Sequence, residues 1–223
     1  MRPQVSVIMP VFNGEAYLEA ALQSVEHQMP MENLQFIIVN DGSTDRTSDI
    51  LRYREPALYV INQVNQGAPV ARNTGLRVAT GDFISFIDAD DLWTKGRLTR
   101  QLHYMAANPE VELLQERIQH IRFNGVEWTD EDAPFHALSL SAALFRRHLF
   151  DRLGPMDETM SYCDDVDWFL RAQRAGVKLR RLDDIALLYR RHENNLTNDS
   201  RQVKHYTLRA LHKHKKAGGK ATS

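Results

Sequence analysis

The stretch Phe83-Ile84-Ser85-Phe86-Ile87-Asp88-Ala89-Asp90-Asp91 decides how this chain is interpreted. Its apolar first half, which follows Gly81, is typical of a buried β-strand. Three carboxylates come next, and in an open α/β sheet ligands bind beyond the carboxyl ends of the strands. Carboxylates this close repel one another unless a cation or hydrogen-bond donors compensate. The cluster therefore indicates a site for Mg²⁺ or Mn²⁺, with a plain polar loop or helix cap as the alternative.

The composition is that of an ordinary globular protein. With 223 residues the chain can form one sizeable α/β domain, alone or with a short appended segment. Apolar residues make up 43% and charged residues 26%, and the net charge of −1 gives no support to a nucleic-acid partner. The single cysteine, Cys163, allows no intrachain disulfide, which favours a reducing compartment.

Targeting signals are sparse. No apolar run approaches the roughly 20 residues of a membrane span, and the first residues lack the apolar region of a signal peptide. We therefore expect a cytoplasmic protein, with peripheral contact at the inner face of a membrane as the alternative. Basic residues are concentrated only at residues 212–216. We expect a frayed, solvated terminus there, and a weak attraction to anionic lipid is the alternative.

Short apolar runs alternate with helical patterns in the first part of the chain. The predicted strands are residues 5–9 (stopped by Pro10), 36–39, 58–61 and the acidic strand itself. The second predicted helix is capped by Thr44 or Asp45 and the third opens at Gly67. The first carries its apolar residues on one face, namely Tyr17, Leu18, Ala21, Leu22 and Val25. Such alternation predicts right-handed βαβ units and a mostly parallel, Rossmann-like sheet flanked by helices. All four strand ends then share one edge, which brings Asp41 and Arg72 towards the acidic cluster.

The second part of the chain is less regular. We predict a helix at residues 98–107, a mixed segment at 111–135 and a solvated loop at 130–132. A further amphipathic helix ends at Gly176 and begins at the acidic pair Asp164 and Asp165. Helix capping is enough to explain this pair, and a general base at Asp165 is the alternative.

Individual side chains indicate what the shared edge could bind. Asp41 could accept a hydrogen bond from a nucleobase or only shape its Asp-Gly turn. Arg72 could hold a phosphate, stack on a base or form a surface salt bridge. With the acidic cluster and Asp165, they describe a site for a nucleoside diphosphate that carries a transferable group. The sequence has no P-loop, Gly-x-Gly-x-x-Gly or Gly-x-Ser-x-Gly motif, which argues against P-loop NTPases, dinucleotide-dependent redox enzymes and common serine hydrolases.

An ordered series of motifs extends over residues 3–200. It comprises Val5-Ser6-Val7-Ile8-Met9-Pro10-Val11-Phe12-Asn13 with Tyr17-Leu18, Val39-Asn40-Asp41-Gly42-Ser43-Thr44-Asp45, Asn65-Gln66-Gly67 with Ala71-Arg72-Asn73-Thr74-Gly75, Phe86-Ile87-Asp88-Ala89-Asp90-Asp91, Asp164-Asp165-Val166-Asp167 with Leu170-Arg171, and Arg190-x-His192. In this series the chain resembles family 2 of the inverting glycosyltransferases. The resemblance implies a GT-A fold in one domain at 1–200, with a nucleotide-binding half at 1–107 and an acceptor-binding half at 108–200. A C-terminal helix or basic tail would occupy 201–223.

The resemblance also implies which residues bind the nucleotide. The loop of Pro10, Val11 and Phe12 would contact the nucleobase together with Asp41. Arg72 would lie near the base or the diphosphate. The donor expected from the resemblance is a nucleotide-sugar, with a UDP-sugar favoured.

The metal and the catalytic base are implied in the same way. Asp88 would hold the ribose or the metal, and Asp90 would coordinate Mn²⁺ or Mg²⁺ bridging the diphosphate. His192 matches a histidine that approaches the metal or diphosphate in some relatives, although alone it would read as a surface histidine. Asp165 matches the base that takes the acceptor proton. Because Asp164 stands where relatives commonly carry Glu, the choice between Asp164 and Asp165 stays open, with Asp165 favoured.

The implied reaction moves a sugar to the hydroxyl of a saccharide or lipid-linked acceptor, in the synthesis of bacterial surface polysaccharide or glycolipid. It needs one carboxylate base and a cation that neutralises the leaving diphosphate. One alternative is a non-catalytic nucleotide-sugar-binding relative, which the acidic metal and base positions disfavour. Another is a sugar nucleotidyltransferase, which the uncharged loop at residues 10–14 disfavours. Residues 108–162 are expected to set the specificity for the donor sugar and the acceptor, and they carry no decisive motif.

Overall fold

The computed structural model describes residues 4–54 and 58–218. Within those residues one mixed sheet contains β1 Val5–Val11, β2 Leu34–Asp41, β3 Tyr59–Gln63, β4 Phe83–Phe86, β5 Leu92–Trp93, β6 Leu113–Phe123, β7 Trp128–Asp130, β8 Ala143–Arg146 and β9 Leu179–Arg191. The α-helices are α1 Leu18–Glu26, α2 Thr47–Arg54, α3 Ala68–Val78, α4 Arg97–Ala107, α5 His148–Leu153, α6 Asp164–Arg174 and α7 Ser200–Gly218. Short 3-10 turns lie at Met31–Asn33, Leu140–Ala142 and Leu196–Asn198.

The first four strands form a wholly parallel unit in the order β3-β2-β1-β4. Successive residues of β1 face opposite sides of the sheet, so Val7 lies in the core that contains α1, while Ile8 lies in the core that contains α3 and α6. Both faces are therefore covered, as expected for parallel strands without polar alternation. The predicted α/β class and the shared strand-end edge are confirmed.

Strand β1 continues through Pro10 instead of stopping before it. Ile8 is the last β1 residue paired with β4, and its carbonyl accepts from the backbone N–H of Ile87 at 3.1 Å. Pro10, two residues further along, has its backbone nitrogen on the same edge of β1, and β4 has already ended at that level. The missing N–H of Pro10 therefore removes no sheet hydrogen bond. The predicted end of this strand was wrong by two residues.

A glycine lets α3 lie close against the sheet. A Cβ atom on Gly75 would sit 2.5 Å from Cγ2 of Ile8, closer than any side-chain contact allows. The helix begins after Gly67, as predicted, with Pro69 in its first turn. This close approach sets the position of Arg72, which lies one turn before Gly75.

The second half extends the sheet with both antiparallel and parallel pairings. Strand β8 pairs antiparallel with β4, β6 pairs antiparallel with β8, and β9 pairs parallel with β6. Strand β5, which follows the acidic cluster, pairs antiparallel with β9. This last pairing brings the end of β9, and His192 just beyond it, back to the acidic cluster. Thus residues about 100 positions apart meet at one site.

The segment at residues 130–132 is more ordered than the predicted loop. Asp130 is the last residue of β7, which forms a hairpin with β6. Glu131 accepts from Nε of Arg122 at 2.9 Å, and Asp132 lies 2.7 Å from Nδ1 of His120. The side chains are exposed but paired, so the strand β6 rather than solvent fixes their conformation.

The basic segment at residues 212–216 is not a frayed terminus where the structure describes it. It belongs to α7, which packs on α6, and His214 is only 9% exposed. Nζ of Lys213 lies 2.7 Å and Nε2 of His214 lies 3.2 Å from the fully buried carboxylate of Asp167. A buried carboxylate requires such partners, and it anchors the helix. Residues 219–223 of the predicted tail lie outside the described part of the chain. Among the described helices, no stretch is long and apolar enough to cross a bilayer.

Candidate functional site

The three carboxylates after β4 point to three different surroundings. They lie in a tight turn in which the backbone N–H of Asp91 donates to the carbonyl of Asp88 at 3.0 Å. Asp88 faces α3, Asp90 faces the segment after β9, and Asp91 is buried. The expected cluster is therefore one continuous turn with separate chemical roles.

Arg72 on α3 joins two of the predicted site residues. Its Nη2 donates to Oδ1 of Asp88 and its Nη1 donates to Oδ2 of Asp164, both at 2.7 Å. Burial alone would lower the pKa of Arg72, but the facing carboxylates of Asp164 and Asp88 more than offset burial and raise it. The guanidinium is only 8% exposed, so the surface salt-bridge alternative does not apply. Ser141, which sequence reasoning missed, adds a 3.2 Å hydrogen bond from Oγ to Oδ2 of Asp88.

Asp164 and Asp165 differ in their surroundings at the start of α6. Asp164 is buried and held by Arg72, whereas Asp165 accepts, among the described residues, only from the N–H of its neighbour Val166, at 2.7 Å. Burial, with a further contribution from the negative charge of Asp164, raises the pKa of Asp165 to about 7, although Arg72 acts in the opposite direction. A carboxylate with a pKa near 7 suits a general base, because it can hold and release a proton at neutral pH. Of the pair, Asp165 is the carboxylate that remains available to a ligand.

Asp91 is not available as a metal ligand. It is 1% exposed, and its Oδ1 accepts from the backbone N–H of Arg190 at 3.1 Å. Burial together with the nearby charges of Asp90 and Asp88 raises the pKa of Asp91 well above its usual range. Arg190 also donates from Nε to the carbonyl of Asp90 and from Nη2 to the carbonyl of Tyr17 at 3.0 Å. The expected triplet therefore reduces to Asp88 and Asp90.

His192, just beyond β9, lies against Asp90. Its Nε2 is 3.0 Å from Oδ2 of Asp90, and its ring stacks on Tyr17 with centroids 4.5 Å apart. Asn195, which sequence reasoning did not identify, places Nδ2 3.3 Å from the same carboxylate oxygen. An open cleft of about 510 Å³ lies beside this group, with Trp128 in its wall.

The residues around Asp90 fit a divalent cation that is shared with a substrate. Among the described residues, no group of three or more His, Cys, Asp or Glu side chains converges as a complete metal site. Asp90 and His192 are nevertheless an oxygen donor and a nitrogen donor side by side that could hold a cation, and the Asp90 side chain is 33% exposed. Mg²⁺ and Mn²⁺ are commonly held by one or two carboxylates while phosphate oxygens and water complete the shell. Asp88, by contrast, is turned towards Arg72.

Asp41 is a satisfied carboxylate at the end of β2. Its Oδ1 accepts from Nε2 of Gln63 at 2.7 Å and from the backbone N–H of Gln66 at 3.0 Å, while Oδ2 accepts from the N–H of Gly67 at 2.8 Å. The side chain is 3% exposed. Asp41 therefore fixes the loop that leads into α3 rather than its own Asp-Gly turn, and its role towards a nucleobase stays a prediction.

The loop after β1 divides into buried and exposed residues. Pro10 and Val11 are buried in the strand, whereas Phe12 is 51% exposed at its end. Asn13 has a positive φ of 52° and accepts from the backbone N–H of Thr44 at 2.8 Å. The strand-end loops of β1 and β2 thus lie side by side, and Phe12 is the apolar side chain they present to solvent.

The chain matches the model of the family described as "Glycosyl transferase family 2" over residues 6–171. It is 29% identical over 220 residues to the uncharacterized glycosyltransferase EpsJ of Bacillus subtilis, covering 88% of this chain and 64% of EpsJ. It is 43% identical over 108 residues to TuaG of B. subtilis, a putative teichuronic acid biosynthesis glycosyltransferase, covering 47% of this chain and 42% of TuaG. The chain thus spans about two thirds or less of these relatives.

Solved structures share the fold. S. aureus TarS 1-349 in complex with UDP-GlcNAc has a TM-score of 0.74 at 22% identity, covering 88% of this chain and 61% of that one. The mannosyltransferase PcManGT from Pyrobaculum calidifontis, in complex with GDP-Man and Mn²⁺, has a TM-score of 0.72 at 23% identity, covering 96% and 64%. At these identities the similarity establishes the architecture, which is that of the GT-A glycosyltransferases.

Proposed function

Because the chain belongs to glycosyl transferase family 2, we propose that it transfers a sugar from a nucleotide-diphosphate donor to an acceptor hydroxyl with inversion at the anomeric carbon. The observation that carries the proposal is the position of Arg72. Its guanidinium joins Asp88 at the acidic strand end to Asp164 at the start of α6. This link holds the neighbouring Asp165 across from the edge where a nucleotide binds in parallel α/β sheets.

The donor we favour is a UDP-sugar. TarS is described with UDP-GlcNAc and PcManGT with GDP-Man, so nucleotide-sugars are the common ligand class of these neighbours. In this chain the nucleobase of the donor would lie against exposed Phe12, beside the loop that Asp41 holds. Pro10 and Val11 would form the bottom of the nucleobase site. Arg72 would contribute positive charge near the diphosphate from its buried position.

Asp90 and His192 would hold Mn²⁺ or Mg²⁺ together with the diphosphate. When bound, the cation would neutralise charge that develops on the departing nucleoside diphosphate. PcManGT, which shares the fold, is described with Mn²⁺. Asn195 and Tyr17 keep the His192 ring against Asp90. The two side chains that would hold the cation are therefore already side by side.

Asp165 would serve as the base of a single displacement. Its carboxylate takes the proton of the acceptor hydroxyl, the freed oxygen forms a bond to the anomeric carbon, and the bond from that carbon to the diphosphate oxygen breaks. The electron pair of the broken bond leaves with the nucleoside diphosphate, so no covalent enzyme intermediate is needed. A raised pKa of about 7 supports this role, because a base works best when its pKa is near the working pH.

The acceptor we propose is a saccharide or a lipid-linked saccharide of bacterial surface polysaccharide or glycolipid synthesis. The name of TuaG refers to teichuronic acid biosynthesis, a process of this class. The acceptor-binding half would be residues 108–200, which contribute α6 and the 510 Å³ cleft that contains Trp128.

The proposal is tested by incubating the protein with UDP- and GDP-sugars, Mn²⁺ and a panel of saccharide acceptors. We expect release of nucleoside diphosphate and a product whose anomeric configuration is inverted relative to the donor. Release of pyrophosphate from a nucleoside triphosphate would instead identify a nucleotidyltransferase. Tight nucleotide-sugar binding without diphosphate release, across the whole panel, would identify a non-catalytic binding protein.

A further inference from the structure

Helix α7 has an unusually one-sided charge. Between Ser200 and Gly218 it contains six Lys or Arg residues and no Asp or Glu, in a chain whose overall net charge is −1. The six are Arg201, Lys204, Arg209, Lys213, Lys215 and Lys216. A helix without any acidic residue is positive along its whole length, so it attracts anionic surfaces.

The inner face of α7 is fixed against the segment that leads into α6. Tyr206 stacks on Tyr162 with ring centroids 5.6 Å apart, and Sγ of Cys163 lies 3.5 Å from Oγ1 of Thr207. Further along, Lys213 contacts the buried carboxylate of Asp167. These contacts determine which side of the helix faces outward, because the helix cannot rotate without breaking them.

The outer face combines apolar and basic side chains. Leu208 is 57% and Leu211 is 49% exposed, and Lys204 and Lys215 lie one turn to either side of this pair on the same helix surface. In the described part of the chain, Lys213 and Arg209 have protein partners, whereas Lys204 and Lys215 have none.

We propose that this outer face of α7 docks on the surface of an anionic lipid bilayer. Exposed leucines flanked by basic residues are what an interfacial helix presents, since the apolar side chains enter the headgroup boundary while the amines reach lipid phosphates. Charge complementarity favours lipid over a second copy of this chain, because two α7 helices would repel each other. With six Lys or Arg residues, α7 is too polar to cross a bilayer, so it would bind the membrane from one side only.

Docking would place the acceptor-binding part of the site near the lipid surface. Packed helices have axes about 10 Å apart, so α6 would lie one helix diameter behind the bilayer surface. The first turn of α6 contains Asp165, the proposed base. This consequence, unlike lipid binding itself, rests on the proposed function, and it fits an acceptor that is anchored by a lipid.

The test measures co-sedimentation of the full chain with vesicles, which requires no turnover. We expect binding to phosphatidylglycerol–phosphatidylcholine vesicles, weakened by added salt, and little binding to pure phosphatidylcholine. The variant K204Q/K215Q should reduce partitioning about tenfold or more, since each basic residue near such a surface contributes a factor of roughly five. The variant L208Q/L211Q should also reduce it about tenfold or more, because it removes the apolar side chains that enter the headgroup boundary.

Matched control variants distinguish binding through this face from non-specific binding to vesicles. V64Q/V126Q alters two residues that are 77% and 87% exposed elsewhere, and K95Q/K178Q removes two exposed lysines. Both control variants should bind vesicles like the wild type. Equal binding to neutral vesicles, or unchanged binding of both α7 variants, would overturn the proposal. So would a dimer that L208Q/L211Q converts to monomer, because the face would then bind a second copy. Nucleotide binding, measured in parallel, reports separately on the proposed function.

Discussion

Arg72 on α3 donates to Asp164 on α6 at 2.7 Å, and both side chains are buried. The two residues are 92 positions apart, so this ion pair joins the parallel first half of the sheet to the helix that contains the proposed base. A buried ion pair contributes little net stability, but removing one partner leaves an uncompensated charge in the interior. The geometry of the site therefore depends on this pair more strongly than on any exposed charge nearby.

Replacing Arg72 by Met should lower the free energy of unfolding by about 3–5 kcal/mol, because Asp88 and Asp164 lose their common partner. Urea denaturation followed by circular dichroism measures the change. The matched control is Arg77→Met, since Arg77 is exposed on the same helix and should alter stability by about 0.5 kcal/mol at most. Equal effects of the two variants would contradict the role assigned to Arg72.

Asp165→Asn should lower kcat by at least about 10²-fold while donor affinity stays within a few-fold of wild type, because the variant keeps its shape but cannot accept a proton. Steady-state assays of diphosphate release and calorimetric titration of the donor measure the two quantities. Asp164→Asn serves as the comparison and should show a different pattern: reduced stability, because buried Arg72 loses a compensating carboxylate, with a milder effect on kcat. Near wild-type turnover of Asp165→Asn would exclude this residue as the base.

The raised pKa of Asp165 predicts two opposite pH dependences. Activity should rise as pH increases through about 7, because the base acts in its deprotonated form. The free energy of unfolding should change the other way, because the folded state holds the Asp165 proton more tightly than the unfolded state does. The stability that Asp165 contributes is therefore present at low pH and is lost as pH rises from about 4 to about 7. Asp165→Asn should remove that part of the pH dependence. Thermal melts of both proteins between pH 4 and pH 8 test the sign.

Asp41→Asn should reduce the free energy of unfolding by about 1–3 kcal/mol even without nucleotide. The amide has one accepting oxygen, so at least one of the backbone donors at Gln66 and Gly67 would face an N–H group instead of a carboxylate oxygen. Chemical denaturation of the unliganded variant measures this loss, with Asp49→Asn as the exposed control. A fully stable Asp41→Asn protein that has lost UDP affinity would show instead that the carboxylate serves only the nucleobase.

Nucleotide binding should depend on a divalent cation through Asp90 and His192. UDP should bind more tightly in Mn²⁺ than in EDTA, and Asp90→Asn should abolish that difference, because the amide is a poor ligand for a hard cation. His192→Ala should reduce it. Thermal-shift titration measures the stabilisation that ligand binding produces. Asp183→Asn, at a carboxylate that is 83% exposed on β9, is the control and should leave the effect intact. A cation effect that survives Asp90→Asn would place the cation elsewhere.

Much of the first half of the fold could be predicted because its signals are local. Short apolar runs without polar alternation predicted β1 to β4, and the face containing Leu18, Ala21 and Leu22 predicted α1. The predicted strand ends were less accurate. Pro10 was taken as a stop, whereas the structure shows it inside β1, because the missing N–H matters only if a neighbouring strand lies on that side.

The second half of the sheet could not be predicted in the same way. Strand β8 and the long strands β6 and β9 were left within mixed or unassigned segments, since their pairing depends on strands far away in the chain. The tail was misjudged for a related reason. Lys213 and His214 resemble a solvated basic terminus in the sequence, and only the packing of α7 brings them to the buried carboxylate of Asp167.

The sequence by itself determined that a parallel α/β unit ends in carboxylates at one edge, and its ordered motifs determined the family. These follow from local hydrophobic patterns and residue order, which depend on neighbours along the chain. Only the tertiary structure decided how the carboxylates divide: Asp91 buried against Arg190, Asp90 beside His192, and Asp88 joined through Arg72 to Asp164. Each of these pairs is between residues that are distant in the chain, and burial and charge act on a residue only through the neighbours that packing places around it.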